Sequence, residues 1–121
     1  FLSSLVFNAD ITGWNTSKVT NMIAMFRSAT NFSQNLGSWD ISKVNGMDVM
    51  FESSGMSADK NYTKTLVGWS KLSTVPSGIT LGANNVTYCT NYSADADNAR
   101  DFLINDKGWN ITGDTVSNSC N

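Results

Sequence analysis

Residues 7–31, FNADITGWNTSKVTNMIAMFRSATN, align with residues 32–56, FSQNLGSWDISKVNGMDVMFESSGM, at an offset of 25. Phe7 falls on Phe32, Ile11 on Leu36, Trp14 on Trp39, and Ser17-Lys18-Val19 on Ser42-Lys43-Val44. Met22 falls on Met47, Met25 on Met50, Phe26 on Phe51 and Ser28 on Ser53. One further step places Phe1 on Phe26, so residues 1–6 read as the tail of another unit. An internal period of this size constrains the fold more than any single motif does. The matched positions are mostly apolar and the positions between them drift, which is what a shared core under a free surface produces. A unit of 25 residues is too small to bury its own Trp and Phe. Copies stacked on one another bury them in columns, as in a solenoid.

Within each unit, residues 9–12 and 34–37 carry one apolar side chain between polar neighbours, which suits a short strand. Met22, Met25 and Phe26 recur at i, i+3, i+4, as do Met47, Met50 and Phe51, which predicts one face of a short helix. Asn21 and Asn45 are the candidate caps of those helices. Trp14 over Trp39, and Phe1, Phe26 and Phe51 in series, are the expected columns. The fold class expected is α/β: a leucine-rich-repeat-like solenoid of short parallel strands and short helices, closed by a C-terminal α+β cap.

The strings GWNTSKVTNMIAMF and SWDISKVNGMDVMF, each preceded by F-x-x-[DN]-[IL]-x-x-W, resemble the repeat of the BspA-like bacterial surface protein family. That family is a divergent leucine-rich-repeat group. The resemblance covers residues 1–56 and implies extracellular display and adhesion or ligand binding, not catalysis.

After Met56 the period fails, and Trp69 stands about five positions beyond its expected place at 64. Leu66 still precedes Trp69 by three, as Ile11 precedes Trp14. Residues 59–72 place Tyr62, Leu66 and Trp69 on one helical face. Residues 75–78, VPSG, form a turn with the sole Pro of the chain. Residues 79–81, 86–89 and 109–112 read as short strands. Ser93 caps a helix running to about Asn105, with Ala96, Ala99, Phe102 and Leu103 inward and Lys107-Gly108 at its end. Residues 57–121 are therefore expected to be a capping unit closing the stack. Its pattern, a helix with L-x-G-W, then G-[IV]-T-L-G-A, Y-C, a helix and W-x-I-T-G-D, is similar to the C-terminal unit that follows such repeats in secreted proteins of the Bacteroidetes type.

Composition narrows the chemistry. Only 15% of the 121 residues are charged, the net charge is -2, and Ser, Thr and Asn make up 43 residues. An average globular domain is about 25% charged. A basic excess for phosphates is missing, so nucleic acid is not an expected partner. No apolar run has the length of a membrane span. His is absent, which removes His-based acid–base chemistry, the ordinary Ser triad and His metal ligands. The sole Glu, Glu52, is expected on an exposed face without a paired carboxylate. Asp95, Asp97, Asp101 and Asp106 read as helix-flanking carboxylates favoured by the macrodipole rather than as a calcium loop, which needs a Gly turn and a distal Glu. No cofactor and no metal are expected.

Cys89 and Cys120, 31 positions apart, lie outside any metal-ligand pattern. The extracellular look of the composition favours a disulfide; the alternative is two buried thiols.

The expected function is that of a non-enzymatic, secreted or cell-surface adhesion module of a bacterium, the C-terminal end of a longer repeat protein. Its partner would be a protein or glycan on a host or neighbouring cell, without membrane insertion. The alternative is a structural spacer or cap with no ligand of its own. The candidate ligand-binding residues are Asp10, Thr12, Asn35 and Gly37, expected to point outward from the two short strands as a polar patch on which Gly37 leaves room for close approach.

Overall fold

The structure is a computed structural model that describes residues 6–121. Phe1, and with it the first member of the expected phenylalanine column, lies outside the described residues.

The two full units fold alike but not as expected. Among the described residues no strand forms at 9–12 or 34–37, and no helix follows Asn21 or Asn45. Each unit is instead a succession of tight turns. Trp14 N–H donates to the Ile11 carbonyl, Val19 to Thr16, Met25 to Met22 and Ala29 to Phe26. In the second unit Trp39 donates to Leu36, Val44 to Ile41, Met50 to Met47 and Ser54 to Phe51.

Two local causes replace strand and helix by turns. Short amide and carboxylate side chains capture the N–H two residues on: Asp10 that of Thr12, Asn15 that of Ser17, Asn21 that of Ile23, Asn35 that of Gly37 and Asp40 that of Ser42. This is the turn chemistry of Asx residues. The backbone also turns left-handed at Ala24 and Ser28 (φ 56° and 59°) and again at Val49 and Ser53 (φ 49° and 55°). Outside Gly that conformation carries a steric cost, and it ends any helix before one begins. What it gains is hydrogen bonding between units. The N–H groups of Met22, Ala24, Phe26 and Ser28 donate to the carbonyls of Gly46, Asp48, Met50 and Glu52 at 2.8–3.0 Å. A helix would have consumed those donors internally.

The same edge continues into the second half. Phe51 and Ser53 donate to Gly82 and Asn84 at 2.9 and 2.8 Å. Strand β1 (Thr80–Gly82) then pairs in parallel with β3 (Asn110–Thr112), with Leu81 opposite Ile111. A second parallel pair, β2 (Thr87–Cys89) with β4 (Thr115–Ser117), lies beside it. The protein is thus a mixed α/β unit with short helices and short parallel strands.

Helix α1 (Asn61–Ser70) buries Tyr62, Leu66 and Trp69, as the spacing predicts. It also buries Thr63 and Thr65, whose hydroxyls accept the N–H groups of Cys89 (2.7 Å) and Leu36 (3.0 Å). Helix α2 (Ala94–Asn105) starts at Ser93, whose side chain accepts from Ala96 N–H, and buries Ala96, Ala99 and Leu103. Gly108 follows it in a left-handed conformation (φ 69°).

The core is an aromatic column. Phe26 stacks on Phe32 at 4.0 Å and on Phe51 at 6.1 Å, and Phe7 on Phe32 at 5.6 Å. Trp39 leans on Phe26 (6.3 Å) as Trp69 leans on Phe51 (6.2 Å). The Trp39 indole donates to the Ile11 carbonyl and the Trp69 indole to that of Leu36, at 3.1 and 2.9 Å. Trp69 therefore occupies in α1 the place that Trp39 holds in the second unit, despite the five extra residues between them. Trp14 departs from the expectation that both repeat tryptophans are core: it is 48% exposed, against 1% for Trp39. Trp39 is covered by the first unit, whose Ile11 carbonyl takes its indole N–H.

Cys89 and Cys120 are joined, their Cα atoms 5.8 Å apart, and the bond fastens the tail to β2. Closing a loop of this length contributes about 3–4 kcal/mol in the chain-entropy account. The Cys89→Ser/Cys120→Ser variant should lose about that much in urea unfolding, and unreduced mass spectrometry should find no alkylatable thiol. Two reactive thiols in the native chain would remove the bridge.

Candidate functional site

The four residues singled out in the sequence belong to turns, not to a strand face. Asp10 accepts both the N–H of Thr12 (3.0 Å) and its hydroxyl (2.6 Å), which holds the Asp10 carboxyl below the usual carboxylate range. Asn35 holds Gly37 N–H in the equivalent turn at 2.9 Å. Asp10 and Asn35 stay exposed, Thr12 is half-buried and Gly37 is buried. The space expected beside Gly37 is filled by α1: a Cβ on Gly68 would meet the Gly37 Cα at 2.5 Å. The missing side chain at Gly37 therefore serves helix packing. The polar side chains of the two units are largely engaged in these turns and in cross-unit contacts, such as Asn8 Oδ1 accepting Ser33 N–H at 2.8 Å.

Several other carboxylates are paired or flank a helix. Glu52 lies 3.3 Å from Arg27 and accepts from Asn84, and Lys71 pairs with Asp95. Asp95 and Asp97 lie in the first turn of α2. Among the described residues no three His, Cys, Asp or Glu side chains stand together as metal ligands.

The C-terminal unit contains a buried ionic group. Asp114, with its side chain 1% exposed, accepts two hydrogen bonds from Arg100 (Nε 2.9 Å, Nη2 2.7 Å) and one from the Tyr62 hydroxyl (2.9 Å). It ties α1, α2 and the β3–β4 turn at one point. The Asp114 hydrogen bond holds the Arg100 guanidinium above its ordinary range. Burial first, then the Asp114 charge, pushes the Tyr62 phenol well above its ordinary value. Tyr88, whose hydroxyl donates to the Ala96 carbonyl at 2.7 Å, is pushed up to about 12 by burial.

A phenol raised on folding stabilises the native state fully below the unfolded value near 10, and that contribution is lost as pH climbs through the folded value. Titration followed by tyrosinate absorbance should show two phenols still protonated at pH 11 while stability to urea falls steadily above pH 10. The Tyr88→Phe variant should flatten that decline. A native chain in which the Tyr62 and Tyr88 phenols ionise near pH 10 would contradict the burial described.

Between the start of α1, strand β2 and the disulfide-fastened tail lies an open depression of about 680 Å³. Asp59 and Lys60 reach its rim through consecutive left-handed residues (φ 55° and 57°). Lys60 Nζ donates to the Asn121 carbonyl at 3.1 Å, and Asn91 clasps Cys120 through both its amide oxygen and its amide nitrogen. Lys64 Nζ stands 5.8 Å above the centre of the Tyr92 ring, which is 40% exposed. Sequence reasoning missed this site. Its signal is faint, two lysines four apart in DKNYTK and a Tyr three residues past a Cys, and only the fold brings them together.

The family model described as "Mycoplasma protein of unknown function, DUF285" matches residues 1–76, more than half of the chain. The comparisons with curated proteins and with solved structures return no match. The matched span takes in both full units and all of α1, so it includes Trp14, Trp39 and Trp69.

Proposed function

Because the chain belongs to the DUF285 family, we propose that it is a non-enzymatic extracellular binding module, a solenoid of the BspA-like divergent leucine-rich-repeat kind displayed on a bacterial surface, with residues 57–121 capping the stack. One observation carries this reading. Turns and left-handed residues recur at the repeat interval, and indole-to-carbonyl hydrogen bonds join each segment to the one before, so each unit rests on its neighbour and shares one core. An architecture of that kind is extendable and presents a long surface, and the Ser, Thr and Asn content suits hydrogen-bonded recognition. The disulfide is in keeping with an oxidising setting. Its partner is a protein or glycan of a host or neighbouring cell.

A second reading, a structural cap without a ligand, is favoured by the Arg100–Asp114–Tyr62 group and the disulfide, both of which brace the end unit. Screening the full oxidised chain against a glycan array and a panel of extracellular-matrix proteins separates the two. Saturable binding supports the module. Silence on both screens, with the chain shown to be folded, leaves the cap. Protease shaving of intact cells tests display: a chain protected until lysis would overturn the extracellular placement.

A further inference from the structure

Resting on that binding reading, we propose that a smaller depression, between the Asp40–Ser42 turn and the segment after α1, is a subsite for a neutral saccharide held by a pair of adjacent hydroxyls.

This depression, of about 270 Å³, is lined by Ser38, Asp40 and Ser42 of the second unit and by Leu72, Ser73 and Thr74 of the segment after α1. It opens where the repeat ends. Between the two full units, Thr16 Oγ1 donates to the Asp40 carbonyl at 3.0 Å and ties their turns together. One unit on, that position holds Ile41, which is buried and has no hydroxyl to give. The chain after α1 also leaves the path of the repeat: Val75 enters the core, and the Pro76 carbonyl takes the Trp109 indole N–H at 2.7 Å. The two walls thus have separate anchors and a gap between them.

The lining has the chemistry of a polyol site. It offers four hydroxyls, one carboxylate and one partly buried apolar side chain, Leu72, against which the C–H face of a sugar ring can lie. Asp40 is positioned before a ligand arrives, its Oδ1 accepting the Ser42 N–H at 2.9 Å. The Ser42 hydroxyl and N–H hold the Asp40 carboxyl below its usual range, so it stands ionised. Oδ2 is the acceptor left for a ligand, and a carboxylate oxygen takes hydroxyl donors in short, charge-assisted hydrogen bonds. Two adjacent hydroxyls fit the group: one on Oδ2, the other on the remaining lone pair of Oδ1. The serine and threonine hydroxyls both donate and accept, so they can take the other oxygens of the ring. An acceptor fixed in advance loses little entropy on binding.

Charge separates a polyol from an ion. A cation would pair with Asp40, but Lys43 is close enough to act on that carboxylate and opposes it. An anion meets the Asp40 charge itself. A neutral ligand rich in hydroxyls meets neither repulsion. The volume falls just below the range of about 300–1,000 Å³ typical of drug-sized ligands, which suits a single sugar ring.

The test is an NMR titration of the full oxidised chain with methyl α-mannoside, methyl α-galactoside, a fully O-methylated glucoside and Nα-acetyl-arginine amide. The two free sugars carry adjacent cis hydroxyls at different ring positions and so distinguish the source of the pair. Saturable shifts centred on the amides of residues 38–43 and 72–74 are expected with one or both of them, and not with the methylated sugar or the arginine amide. Asp40→Asn should weaken the bound sugar by about tenfold or more. That variant keeps the turn, because Asn15 holds the Ser17 N–H at the matching place of the first unit, at 3.1 Å. Lys43→Gln, and Asp48→Asn at an exposed carboxylate outside the depression, should leave sugar binding unchanged. The proposal is overturned by the absence of saturable shifts with both free sugars, by equal binding of the methylated sugar, by preference for the arginine amide, or by binding that survives Asp40→Asn. Capture of a matrix protein or an arrayed glycan by a chain whose residues 38–43 and 72–74 do not respond removes this subsite and leaves the binding module standing. Silence on the screens and in the titration removes both.

Discussion

Trp39→Ala should cost about 3–5 kcal/mol, as expected for truncating a fully buried aromatic side chain. Trp39 is 1% exposed and lies against Phe26, itself clamped between Phe32 and Phe51. A void there unsettles the contact between both units. Most of the loss should be packing. The Ile11 carbonyl that receives the Trp39 indole N–H also receives Trp14 N–H at 3.1 Å, so truncation leaves no orphaned acceptor. Trp39→Phe should therefore recover more than half of the loss, the missing indole bond costing only about 1 kcal/mol. Trp14→Ala, at the half-exposed copy of the same position, should cost about 1 kcal/mol. Urea unfolding of the three variants measures the ranking. Equal costs at positions 14 and 39 would mean that the units do not stack as described.

Asp114→Ala should be comparably severe, at about 3–5 kcal/mol, the usual range when one partner of a buried ion pair is removed. The variant strands the Arg100 guanidinium, whose side chain is 20% exposed, and leaves the Tyr62 hydroxyl without its acceptor. The cost lies in the uncompensated groups more than in the lost attraction. Arg100→Met/Asp114→Leu should accordingly be more stable than Asp114→Ala alone. If Asp114→Ala unfolds within 1 kcal/mol of the parent chain in urea, the carboxylate does not organise the end unit.

The period was readable because stacked units must repeat their inward side chains: Phe7 and Phe32, and Phe26 and Phe51, do meet. Both helices were readable too, α1 from the spacing of Tyr62, Leu66 and Trp69 and α2 from Ser93 with Ala96, Ala99 and Leu103. The interior of the units was misread for a physical reason. A helix turn and a pair of tight turns with left-handed residues both bring positions i, i+3 and i+4 inward, so Met22, Met25 and Phe26 do not tell them apart. The Asx residues around them favour turns, and they outweighed the apolar spacing. Strand β4 went unseen because Thr115, Val116 and Ser117 carry a single apolar side chain, and that one does not enter the core: Val116 is 49% exposed. The expected binding patch rested on strands that do not form. The depression at Tyr92 depends on contacts between residues 60, 64, 92 and 121, which no local pattern encodes.

Four bonds, from Met22, Ala24, Phe26 and Ser28, run with donors on the first unit and acceptors on the second, and they are flanked by two, from Asn45 to Thr20 and from Gly55 to Ala29, that run back. In an ordinary sheet the amide dipoles of a strand alternate and nearly cancel. Here they align along the direction of stacking and add. By the repeat, the carbonyls of Asn21, Ile23, Met25 and Arg27 stand where those of Gly46, Asp48, Met50 and Glu52 stand one unit later. The contact between residues 22–28 and 46–52 thus has a polarity: a segment laid down in the same sense sets donors against acceptors, whereas one laid down in the reverse sense sets like groups together, which works against the mispairing that backbone edges ordinarily invite.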